Sequence, residues 1–162
     1  LSLAAILVLS GFQVLHTMLL KDHSVDGSHP LLAINFLYVD ITALLLFCAF
    51  LWLAIRAARK RDFALHMRLI TCSAIIPLEA ALERTFIYGT PNLVPNWNVA
   101  LYASTITLIV VMAVLVGIER WRGRSRWPFA ALLVYYLVML LTTDFISNQE
   151  WFQAFATFYA NL

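Results

Sequence analysis

Glu79 and Glu83 stand four residues apart inside an otherwise apolar stretch, so a helix there carries both carboxyls on one face. Arg68 and Cys72 extend that face, because eleven residues make almost a whole number of helical turns. Arg84 follows immediately. Asp40 lies within a second apolar stretch, Asp144 near the end of another, and Gln13, His16 and Thr17 share a helical face in the first. Buried carboxyls of this kind relay protons, ligate a metal, or fix helix packing through buried pairs such as Asp40 with Arg84. Pro77 precedes Glu79 by two residues and removes one backbone hydrogen bond, which can bend the helix and open a small polar cavity there.

The surroundings explain why these groups matter. Of 162 residues, 62% are hydrophobic and 12% charged, whereas soluble domains run at roughly 25% charged. So few charges cannot cover a water-soluble body of this size, and a bilayer is the natural solvent. An ionisable side chain in a bilayer costs about 2.5–3.5 kcal/mol, so each needs a partner or a task. The net charge of +2 gives no sign of a nucleic-acid partner. Cys48 and Cys72 sit in apolar runs and read as small packing residues.

Five stretches have the roughly 20 apolar residues of a membrane span. They are about 1–20, 31–56, 64–88, 98–119 and 127–147, joined by short loops. The expected fold is an all-α, polytopic helix bundle forming a single membrane domain over 1–162. Leu1 lies within an apolar run and is not Met, so further residues are expected before it. The run is too long for a signal peptide and lacks a basic leader. Asp62 suits the N-cap of the third helix and Pro128 the first turn of the fifth.

Nine of the eleven Lys and Arg residues fall on one side of this arrangement: Arg56, Arg59, Lys60, Arg61, Arg68, Arg120, Arg122, Arg124 and Arg126. The positive-inside rule then puts both basic loops in the cytoplasm and the C-terminus outside, in the inner membrane of a bacterial cell. Trp52, Trp121 and Trp127 fall at the inner boundary, Trp97 and Trp151 at the outer. Seven of the nine acids, and His16, His23 and His29, fall in the outer half. The expectation is an outward-opening acidic pocket lined by His16, Asp40, Glu79, Glu83 and Asp144, with Arg84 as counter-charge. His66 and Arg68 stand at the opposite headgroup level, where a lipid phosphate or an anionic ligand could contact them.

No cofactor is assigned. His16, His23 and His29, with Asp22 and Asp26, are metal-ligating types, but their spacing matches no compact motif. A haem shared by His16 and His66 is excluded by most of the membrane thickness between them, so haem would need Met67 or Met18. Residues 148–162 form a tail in which Trp151, Phe155 and Phe158, and likewise Phe152, Phe155 and Tyr159, follow helical spacing. It reads as a helix in the membrane interface, or as an aromatic face for a membrane-protein partner or pigment.

Residues 61–84, with His66, Arg68, Leu69 and Arg84, resemble a helix of small uncharacterised bacterial multi-pass membrane proteins. In these a basic loop leads into a His-x-Arg-Leu-Met-type start. Ile70 stands where the Met is usual. The resemblance transfers no activity, and it raises the expectation of a respiratory accessory role. The functions left open are a non-catalytic accessory or assembly subunit of a larger membrane complex, a redox protein holding haem, metal or quinone, and a proton or ion transporter.

Overall fold

Short polar turns divide the chain into helices with no strand among the described residues. A computed structural model describes residues 30–90, 93–94, 96–123 and 127–160. The helices are α1 (Pro30–Arg59), α2 (Phe63–Ile75), α3 (Leu78–Gly89), α4 (Trp97–Trp121), α5 (Trp127–Ser147) and α6 (Glu150–Ala160). Four segments are long and apolar enough to cross a membrane: Ile34–Arg59, Phe63–Gly89, Trp97–Trp121 and Trp127–Ser147. They match the second to fifth expected spans within a few residues. The expected span 1–20 lies outside the described residues.

The turn between α1 and α2 is closed by two opposed backbone bonds. Asp62 N–H donates to Ala57 O at 3.0 Å and Arg61 N–H to Ala58 O at 2.9 Å. This is the Schellman pattern, and it requires a left-handed residue between them. Arg61 fills that place at φ 58°, a position that favours glycine. After α4 the equivalent left-handed residue is Gly123, at φ 63°. Asp62 then caps α2 as expected, its Oδ1 accepting from Leu65 N–H at 3.0 Å. Asn96 caps α4 in the same way through Val99 N–H at 3.0 Å.

Pro77 separates α2 from α3. The last bond before it runs from Ile76 N–H to Cys72 O, and the turn that follows closes more tightly, from Glu79 N–H to Ile76 O, both at 3.3 Å. Ile76 and Pro77 keep right-handed dihedrals, so the axis is interrupted without reversing the chain.

The described residues group into two units. One contains 45–140 and the other the flanking 30–44 and 141–160. In the first, α2 with α3 runs antiparallel to α4. Arg68 meets Glu119, Glu79 meets Thr105, and Tyr88 meets Trp97 in that order along the pair. The buried stripe of α4 is Leu101, Ser104, Thr105, Leu108 and Met112, at the spacing of one helix face. Phe50 on α1 packs against Trp127 on α5, with ring centroids 6.2 Å apart.

In the second unit α6 docks through one face. Phe152 and Ala156 are buried with Leu37, and Ile34, Tyr38, Ile41, Ile146 and Tyr159 pack around them. The Tyr38 ring meets Phe152 edge-on at 5.8 Å, and its hydroxyl lies 3.1 Å from Thr142 Oγ1. Burial pushes the Tyr159 phenol up from the ordinary tyrosine range. Trp151, Phe155 and Phe158 form the other face and remain exposed.

Two outcomes follow. Arg61→Gly relieves the left-handed position and raises stability by about 1 kcal/mol, measured by unfolding in mixed micelles. Phe152→Ala removes the docking contact and speeds proteolysis of the tail, whereas Phe158→Ala, on the exposed face, leaves the cleavage rate unchanged.

Candidate functional site

The unit of residues 45–140 buries several polar side chains and exposes many large apolar ones. Ser73, Glu79, Glu83, Ser104 and Thr105 are buried, while Trp52, Ile106, Val110, Val114 and Val134 are exposed. A soluble bundle distributes these types the other way round. The arrangement suits a body whose solvent is lipid.

Glu79 and Glu83 lie on the buried side of α3, at 5% and 6% exposure. The shared face expected from their spacing is therefore real. The residue brought to Glu79 is Thr105 on α4, its Oγ1 2.8 Å from Glu79 Oε1. From α5 comes Tyr136, fully buried, with Tyr135 beside it at a centroid distance of 5.2 Å. The Tyr136 side chain stands within electrostatic reach of Glu79 and Cys72, and its hydroxyl has no hydrogen-bond partner. The Asn98 side-chain oxygen on α4 is also buried without one. Buried polar atoms are nearly always bonded, so two such atoms in one unit mark places where a small polar species would be held well.

Arg84 is exposed, and its Nη1 donates to the Ala80 carbonyl of its own helix at 3.1 Å. Asp40 is half-buried on α1, and Asp144 is exposed on α5; both belong to the unit of residues 30–44 and 141–160. His16, His23 and His29 lie outside the described residues. Among the described residues no group of three or more His, Cys, Asp and Glu side chains could hold a metal ion.

His66 and Arg68, expected at a headgroup level, are both engaged within the chain. His66 Nδ1 lies 2.9 Å from the Ala54 carbonyl. A carbonyl only accepts, so Nδ1 carries the proton. Arg68 is bound to Glu119 through Nε at 2.9 Å and Nη2 at 2.7 Å, and its Nη1 donates to Ala64 O at 2.9 Å. Both side chains of this ion pair are largely buried, so it ties the start of α2 to the end of α4.

Comparison with protein-family models, curated proteins and solved structures finds no match to this chain. The site therefore has to be read from its own chemistry.

Reading residues one helix at a time misses Thr105, Tyr136 and Glu119. Hydroxyls in apolar helices are common, and nothing nearby in sequence marks these. The usable signal was the stripe at 101, 104, 105, 108 and 112, which puts Thr105 on an inward face as soon as α4 is given a buried side. Glu119→Gln removes the charge from the Arg68 pair and lowers stability by about 1–3 kcal/mol, read by unfolding in mixed micelles. Arg68→Lys cannot reproduce the two-nitrogen contact and falls between it and the native chain.

Proposed function

We propose that this chain is a bacterial inner-membrane protein that takes up and releases protons or small cations at the interior carboxyls Glu79 and Glu83. The observation that carries this reading is the Glu79 carboxyl, buried within an apolar segment and contacted by Thr105 at 2.8 Å. A carboxyl in that position is costly, and it is found where a proton or ion is handled. Its surroundings support the reading: Glu83 lies one turn away, and the Tyr136 hydroxyl beside it is unsatisfied. The positive charges of the turn at 59–61 and of the segment 120–126 support an orientation with both loops in the cytoplasm.

Flux measured in liposomes tests it. Under an imposed pH gradient the native chain conducts faster than Glu79→Gln, which keeps the side-chain shape and loses the titrating group. Equal rates remove Glu79 from the pathway.

A second reading, a non-catalytic accessory subunit of a larger and energy-transducing membrane complex, has its own support. The exposed aromatic row of Trp151, Phe155 and Phe158 is carried on a helix whose opposite face is already docked. Lipid headgroups favour the same residues. Co-migration with partner subunits on a native gel, lost in a Trp151→Ala, Phe158→Ala double variant, supports the subunit reading. A native-expression monomer counts against it.

A further inference from the structure

Thr105 makes two contacts that its hydroxyl cannot donate at the same time. Its Oγ1 lies 2.8 Å from Glu79 Oε1 and 2.9 Å from the Leu101 carbonyl oxygen. A hydroxyl carries one proton and can also accept, whereas a carbonyl only accepts. When the Thr105 proton points to Leu101, the short contact to Glu79 needs a proton on the carboxyl, which donates to Thr105. When Glu79 is ionised, Thr105 turns its proton to the carboxylate. Leu101 O tolerates this, because the helical backbone bond remains available to it. Both protonation states are thus satisfied with every heavy atom in place.

A second observation points to the same spot. Tyr136 on α5 is fully buried, its hydroxyl has no partner, and it stands within electrostatic reach of Glu79. An orphaned buried hydroxyl is a standing cost. Glu83 lies one turn along α3, the Thr105 hydroxyl faces Glu79 from α4, and Tyr136 on α5 is within electrostatic reach of Glu79, Tyr135 and Cys72. The nearby cation Arg84 is exposed and bonded to Ala80 O.

We infer that Thr105 is a two-way hydrogen-bond adaptor that lets Glu79 bind and release one proton in place. The ligand is the proton, taken from water and returned to it; no other bond forms or breaks. This rests on the reading of Glu79 as an exchanging carboxyl and adds the device that makes exchange possible without repacking.

Infrared difference spectra of the full chain in lipid vesicles test both levels. Subtracting Glu79→Gln from the native spectrum isolates the C=O band of protonated Glu79. The band is expected at acid pH and is lost as pH rises. In Thr105→Val, close in shape to the native residue, the acid loses its acceptor and the band moves to higher frequency. In Thr105→Ser, which restores the hydroxyl, it returns to the native position. If valine does not fold, judged by circular dichroism, Thr105→Ala gives the same readout. A native frequency in a folded variant without the hydroxyl overturns the adaptor and leaves the proton-binding reading standing. Absence of a Glu79 band at every pH overturns both. Loss of the band on adding sodium chloride, but not choline chloride, at fixed pH assigns the site to a metal cation and overturns the proton assignment.

Discussion

Inside hydrocarbon no water is present to satisfy a polar group, and that constraint organises the chain. Every backbone N–H and C=O has to be bonded within the protein, which a helix achieves inside a single segment. The same constraint governs side chains. Thr71, Ser73, Thr85, Ser104, Thr107 and Ser147 each donate to a carbonyl three or four residues back on their own helix. Arg84 does likewise with Ala80. Thr105 is set apart because its hydroxyl has a carboxyl from another helix in reach as well. Its ordinary bond is the one every neighbour makes; its second contact is what gives the site two states.

The carboxyls and the ion pair solve the problem in different ways. Arg68 and Glu119 neutralise each other and draw α2 onto α4, a fixed link with opposite charges in contact. Glu79 has a hydroxyl facing it, a partner that can serve as donor or acceptor. An ion pair holds one arrangement, whereas a hydroxyl beside a carboxyl accommodates a change of charge. Both lie on the same antiparallel pair of segments.

Much of this architecture was legible in the sequence because it follows from composition and local chemistry. Run lengths give spans 31–56, 64–88, 98–119 and 127–147, and helices form there. Asp62 has the side chain of an N-cap and acts as one. Pro77 interrupts its helix because it has no N–H to give. The four-residue spacing of Glu79 and Glu83 puts both on the buried side of α3. What was not legible depends on which helices meet. Nothing local says that Arg68 faces Glu119, fifty-one residues away. Nor does it say that Thr105 faces Glu79. The turn at Arg61 was hidden for another reason, since a left-handed position announces itself only when glycine or asparagine fills it.

The tail helix carries a consequence for the order of assembly. Residues 45–140 form one unit from a continuous stretch of chain. The unit that holds α6 is built from two separated stretches, joined by Tyr38 with Thr142, 104 residues apart, and by Leu37 with Phe152. During synthesis the first unit has all its residues once position 140 has emerged. The second cannot close until Phe152 has followed, and until then the apolar face around Leu37 waits without the helix that covers it. Closure of this unit is therefore a late event that waits for α6.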